Sequence, residues 1–195
     1  MLKIAIVDKM HEDGIKLLKD NSKFNCEIIE DLSKENLLSK LPNFDGITLR
    51  RGKLDSEVLK NCKNLKVIAR HGVGYDNVDV NYLKKNNITL LVTSNSTSTS
   101  PAEHIMFMIL NIYKGREMFD KMVRDGNFHK AIHMEITDNF ELFAKKILIV
   151  GFGRIGKKLI KQCLGFDMNV LVYDPYVDEK DIKVLGGKKI IDLEK

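Results

Sequence analysis

The stretch "GFGRIG", residues 151–156, follows the apolar run "KILIV" and opens an amphipathic segment. Three glycines at this spacing, between a strand and a helix, suit the pyrophosphate of a dinucleotide. Gly151 allows the tight turn, Gly153 lets the backbone approach the phosphates, and Gly156 lets the helix pack closely on the strand. The helix N-terminus adds free backbone N–H groups and a partial positive charge at Arg154 and Ile155. Asp174 closes the next predicted strand, near the roughly 20-residue distance at which a carboxylate accepts the adenosine ribose hydroxyls. Its charge would repel a 2′-phosphate, so the pattern favours NAD over NADP. The competing reading is that the glycines only shape a turn and Asp174 caps the strand.

A second constellation is "RHGVGYDNVD", residues 70–79, at the end of another predicted strand. Gly72 and Gly74 flank Val73, so successive backbone N–H groups could form a nest for a carboxylate. A tight turn capped by Asp76, Asn77 or Asp79 explains the same residues. Arg50 and Arg51, at the end of the preceding predicted strand, tilt the reading towards an anion clamp, since guanidinium groups bind carboxylates and phosphates in a fork geometry.

Other chemistry is poorly represented. Cys26, Cys62 and Cys163 are odd in number and widely spaced, which fits neither a disulfide framework nor a paired-cysteine metal site. A net charge of +5 is carried by lysines scattered among acids, and a solvated surface accounts for it without nucleic acid. The apolar runs are far shorter than a membrane span, and the opening residues lead directly into a strand pattern. A cytoplasmic protein that binds neither membrane nor nucleic acid is expected.

The elements that must position these residues alternate. Strand patterns at 2–8, 24–30, 45–50, 65–70 and 88–94 are separated by helix patterns, which predicts a parallel α/β sheet with strands covered on both faces. A polar run, "SNSTSTSP", precedes one long predicted helix over 102–126, with Ser100 as N-cap, Pro101 at the first helical position and Glu103 completing a capping box. Its apolar face is expected to be mostly buried. Residues 127–141 have no clear period and read as a loop. A second α/β unit begins at "AKKILIV", with a helix at 154–165, a strand at 169–174, a short helix and a third strand in "KKIIDL".

In their order and approximate spacing, "LKVIARHGVGYDNVDV", "SNSTSTSPAEHIMFMIL", "MVRDGNF", "ELFAKKILIVGFGRIGKKL" and "GFDMNVLVYDPYV" resemble the D-isomer-specific 2-hydroxyacid dehydrogenases, particularly their phosphoglycerate dehydrogenase branch. The resemblance implies a flavodoxin-like parallel-sheet substrate domain over 1–98 and the first part of a Rossmann dinucleotide-binding domain over 99–195, with the long helix crossing between them. It implies NAD at Gly151, Gly153, Arg154, Ile155, Gly156 and Asp174, with the Val73 backbone in the cleft. It also places the substrate carboxylate against Arg50 and the Gly72–Gly74 loop, supported by Asn77, and implies a homodimer. The substrate would be a small 2-hydroxy or 2-oxo acid, with 3-phosphoglycerate suited to the arginine pair.

The chain departs from the family pattern at three local points. Ala144 stands where glycine is usual, Phe128 replaces a common tryptophan, and the loop 129–140 is longer. The larger departure concerns catalysis, which in the family uses an arginine, a glutamate and a histidine from a later block. Reduction of a 2-oxo acid needs a proton donor to the developing alkoxide, a role for histidine near neutral pH. None of His11, His71, His104, His129 and His133 matches that block, so these 195 residues are expected to be inactive alone. A non-catalytic carboxylate- or dinucleotide-binding module derived from the family is the alternative. An incomplete second sheet would leave an open edge and uncovered apolar faces, making that unit marginally stable or prone to associate.

Overall fold

The computed structural model describes residues 1–94, 98–133 and 141–193. The chain divides into two compact units, Met1–Thr97 and Ser98–Lys195.

In the first unit, β1 (Leu2–Val7), β2 (Phe24–Ile29), β3 (Gly46–Leu49), β4 (Val67–Arg70) and β5 (Thr89–Val92) form one parallel sheet in the order β2-β1-β3-β4-β5. This is the flavodoxin-like order, whose topological switch point lies between β1 and β3 at their carboxyl ends. Helices α1 (Glu12–Lys19), α2 (Lys34–Lys40), α3 (Ser56–Asn61) and α4 (Val80–Lys85) connect the strands. Their starts are written in the sequence: Ser33 accepts from the Asn36 amide, Asp55 from the Glu57 and Val58 amides, and Asp79 from the Tyr82 amide. The core joins the central strands to α2–α4 through Val7, Leu37, Ile47, Leu49, Leu59, Ile68 and Leu83. Only the central strands are covered on both faces. The edge strand β2 alternates half-buried and exposed positions with only Ile29 buried, and β5 is largely exposed.

The second unit begins with α5 (Thr99–Tyr113) and α6 (Arg116–Arg124). The single long helix expected over 102–126 is therefore two. Gly115 takes a left-handed φ of 54°, which ends the first helix and redirects the chain. The start also differs from expectation. Ser98 occupies the N-cap position without a side-chain cap, and Pro101 sits inside the first turn, where its missing N–H leaves no helical bond unmade. Of the apolar positions expected to pack, 105, 106, 108, 109, 112, 113, 118, 119 and 122, only Met106 is buried; Met108, Ile112 and Met118 are exposed. Part of the segment read as a loop is a 3-10 helix, Phe128–His133. Residues 134–140 of that segment, and 95–97 of the polar run, lie outside the described residues.

Strands β6 (Lys146–Val150), β7 (Asn169–Tyr173) and β8 (Lys188–Ile190) form a parallel sheet in that order, with α7 (Arg154–Gly165) and α8 (Glu179–Val184) as crossovers. Helices α5, α7 and α8 share the core with one face of the sheet through Ala102, Met106, Ile149, Ile160, Cys163, Val172 and Ile182. On β6 the alternate residues Leu148 and Val150 are exposed, so the expectation of strands covered on both faces fails here as well.

Candidate functional site

In the second unit, the glycines occupy three different physical environments. Gly151 follows β6 with a left-handed φ of 91°, and its amide donates to the Tyr173 carbonyl at 2.8 Å. Gly153 is the N-cap of α7, and a Cβ built there meets nothing within 4 Å. A Cβ on Gly156 would lie 2.6 Å from the Gly151 carbonyl oxygen. The turn, the open approach and the close helix packing are thus divided among Gly151, Gly153 and Gly156. Arg154 and Ile155 form the first turn of α7, which has no side-chain cap, so its positive end is available to an anion.

Asp174 makes the local contacts that a strand-capping residue would make. It stands at the end of β7, and its Oδ2 accepts the Phe152 amide at 2.7 Å while Oδ1 accepts the Tyr176 amide at 2.8 Å. The carboxylate therefore ties the glycine turn to the next strand while remaining at its edge. The Phe152 amide foremost, then that of Tyr176, lower its pKa and keep it ionised. The open backbone at Gly153, the uncapped helix start and the ionised acid together fit the phosphates and ribose of a dinucleotide.

In the first unit, a cavity of about 640 Å³ opens at the carboxyl ends of β3 and β4, lined by Arg50, Arg51, Gly52, Lys53, Arg70, Gly74, Asp76 and Asn77. Asn77 donates through Nδ2 to the Gly52 carbonyl at 2.6 Å, and the Leu54 amide donates to the Asn77 carbonyl at 2.8 Å, so Asn77 joins the two loops that frame it. Gly72 and Val73 lie in the same bend but do not line the cavity. The Gly72 amide donates to Thr93 Oγ1 at 2.8 Å, which reduces the expected nest to the amides that follow it. Among the alternatives for the local cap, Asp79 fills the role on α4.

Residues 4–149 match the family model of the D-isomer specific 2-hydroxyacid dehydrogenase catalytic domain, and residues 106–195 match that of the family's NAD binding domain. The chain belongs to the D-isomer-specific 2-hydroxyacid dehydrogenase family. NAD is the cofactor of the domain to which its C-terminal portion corresponds. It is 30% identical over 190 residues to a D-3-phosphoglycerate dehydrogenase of Archaeoglobus fulgidus, covering 97% of this chain and 35% of that protein. A glyoxylate reductase of Pyrococcus furiosus is 31% identical over 193 residues, covering 95% of this chain and 57% of the relative. Among solved structures, D-lactate dehydrogenase from Aquifex aeolicus complexed with NAD and lactic acid superposes with a TM-score of 0.78 at 30% identity, covering 96% of this chain and 55% of that one. The chain thus spans between about a third and three-fifths of the length of these dehydrogenases.

Within this dehydrogenase fold, the structure adds residues that the sequence reading did not single out. Arg70, the last residue of β4, lines the cavity; its Nη1 donates to the His71 carbonyl, while its buried Nε has no hydrogen-bond partner among the described residues. An orphaned guanidinium N–H beside a cavity fits an anionic ligand. Asp8, immediately after β1, accepts from Arg51 Nε at 2.6 Å and Nη2 at 3.1 Å, with Arg50 Nη1 at 3.9 Å. The Arg51 guanidinium foremost holds the Asp8 carboxyl below the usual range, against burial, which pushes it up. A parallel sheet that places β1, β3 and β4 side by side was the only available signal for these two residues, because it brings their C-terminal ends together.

Proposed function

We propose that the chain supplies the cofactor-binding turn and the substrate-anion site of an NAD-dependent D-2-hydroxyacid dehydrogenase. The observation that carries this reading is the division of labour among Gly151, Gly153 and Gly156, with Asp174 latched to the same turn. When bound, the cofactor supplies or takes the hydride at C2 of the acid. Arg154 and Ile155 offer backbone N–H groups to the pyrophosphate, and Asp174 accepts from the adenosine ribose.

In the same proposal, Arg50 and Arg70 hold the substrate carboxylate, with the Gly74 amide as a further donor and Asn77 fixing the loop. The density of guanidinium groups in the cavity favours acids with a second negative group, among them 3-phosphoglycerate. A matching proton donor is lacking among the five histidines, so the 195 residues by themselves bind cofactor and acid without turnover. The apolar side of α5 pairs two copies.

Titration of NADH fluorescence against this chain tests the reading, alongside NADH oxidation assays with glyoxylate, hydroxypyruvate and phosphohydroxypyruvate. Saturable NADH binding that is lost in Gly153→Val and Asp174→Ala, with no oxidation, is expected. Equal NADH affinity in those variants would overturn the cofactor assignment, and turnover by the chain alone would overturn the assignment of catalysis to groups outside it.

A further inference from the structure

Asp8 is the residue that the fold treats most unusually. It is 4% exposed and takes a left-handed φ of 73°, a conformation costly for a residue other than glycine. Its amide donates to the Ile29 carbonyl at 2.9 Å, which holds the turn after β1, and its Oδ1 accepts the Lys9 amide at 2.8 Å. The remaining acceptor capacity is directed at Arg51 Nε and Nη2. On the other side, Arg50 Nη1 lies 3.9 Å from Oδ2 and donates to the Lys9 carbonyl at 3.2 Å. Both arginines line the cavity at the carboxyl ends of β3 and β4, and Asp8, which does not line it, is paired with both.

This arrangement is informative about charge. Arg50, Arg51, Lys53 and Arg70 bring four positive charges to the cavity, and Asp76 brings one negative. A fork geometry between Asp8 and Arg51 engages two N–H groups that would otherwise reach a ligand, and Asp8 lowers the positive potential that any bound anion meets. A surface salt bridge formed for stability alone would not need a strained, buried partner beside arginines that line a cavity.

We propose that Asp8 is a positioning and specificity-determining residue, which withdraws Arg51 from the ligand set, fixes Arg50 at the cavity and limits how far the site prefers multiply charged over singly charged acids. The inference rests on the cavity being the substrate-anion site. An anion bound to Arg50 Nη1, which is 3.9 Å from Asp8 Oδ2, lies at most ~7 Å from that oxygen, where each ligand charge is repelled by a factor of about three to seven for an effective dielectric between that of water and half of it. A phosphate group adds about 1.5 to 2 negative charges at neutral pH.

The test uses the whole chain and two matched probes, D-glycerate and 3-phosphoglycerate, titrated by ¹H–¹⁵N NMR while following the Gly74 and Asn77 amides at fixed ionic strength. Asp8→Asn should raise the affinity ratio of 3-phosphoglycerate to D-glycerate about fivefold or more. Arg51→Ala, which leaves the Asp8 carboxylate without its partner, should move the ratio the opposite way by a similar factor. A merely structural role would weaken both probes together and leave the ratio unchanged, which would overturn the proposal. Should Asp8→Asn fail to fold, an unchanged ratio in Arg51→Ala is sufficient to reject it. If the wild-type chain binds neither probe at these amides, the anion-site reading itself falls, whereas binding with an unmoved ratio defeats only the role of Asp8.

Discussion

The Asp174 carboxylate accepts the Phe152 amide at 2.7 Å, so the acid that ends β7 also holds the glycine turn after β6. This latch and the proposed ribose contact make different demands on the side chain. An asparagine can still accept one amide but carries no charge for ribose hydroxyls. Asp174→Asn should therefore keep the thermal midpoint close to wild type while NADH affinity falls about tenfold, and Asp174→Ala should lower both. NADH fluorescence titration paired with calorimetry checks this. Parallel losses in the two variants would show that the acid acts only through the turn.

Gly153 and Gly156 give a second separation. A methyl group at Gly156 would meet the Gly151 carbonyl at 2.6 Å, whereas one at Gly153 meets only open space. Gly156→Ala is expected to cost about 1–3 kcal/mol of stability by forcing α7 off the sheet. Gly153→Ala should fold normally and bind NADH weakly. Denaturant unfolding and NADH titration of both variants would expose the reverse pattern.

Much of this was legible from residue types. The parallel sheet of five strands followed from the alternation of strand and helix patterns, Asp79 was among the caps that the loop after β4 offered, and the three glycines announced their turn because strand and helix patterns flanked them. What escaped had long-range causes. Asp8 and Arg51 are neighbours only because β1 and β3 pair, and Arg70 reads as a strand residue until the cavity beside it is seen. The break at Gly115 was hidden because apolar spacing continues through it, while a single left-handed glycine decides the chain direction. Burial on α5 was overestimated because periodicity reveals an apolar face without saying what covers it.

Ala144 carries a strain that the sequence only hinted at. It stands where the family resemblance implies glycine, and it adopts φ 57°, with its amide donating to the Asp167 carbonyl at 3.0 Å and its carbonyl accepting from Asn169 Nδ2 at 2.8 Å. These bonds hold the turn before β6 in a conformation that costs a non-glycine residue about 1–2 kcal/mol. Glycine removes that cost but adds chain entropy to the unfolded state, about 0.5–1 kcal/mol. Ala144→Gly should raise stability by about 0.5–1 kcal/mol, seen as a higher urea midpoint at unchanged slope. A lower midpoint would mean that the alanine is not strained in solution.

The buried Asp8 sets an acid response for the first unit. Its pKa is depressed in the folded chain, first by the Arg51 hydrogen bond, so its stabilisation is complete above the unfolded value of about 4 and is lost as pH falls through the lower folded value. Stability of the wild type should thus decline below about pH 4, and Asp8→Asn should be less stable at neutral pH with a shallower acid decline. Urea midpoints between about pH 2.5 and 7 report both. An identical pH profile in the two proteins would show that Asp8 contributes no linkage.

Self-association has two candidate surfaces, and single charges can tell them apart. On α5, Met108 and Ile112 lie one turn apart, and Ile112 is 72% exposed. On β6, Leu148 is 44% and Val150 is 65% exposed on the sheet face away from the shared core. Helix pairing through α5 would give a discrete dimer, because two copies of one apolar face satisfy each other through a closed two-fold contact. The exposed face of β6, beside the unpaired edge of the described sheet, would instead recruit chains without a closed two-fold contact. Sedimentation velocity of the wild type is expected to show a dimer that Ile112→Glu converts to monomer and Val150→Lys leaves intact. Dissociation by Val150→Lys alone would assign the contact to the sheet and remove the helix from the interface.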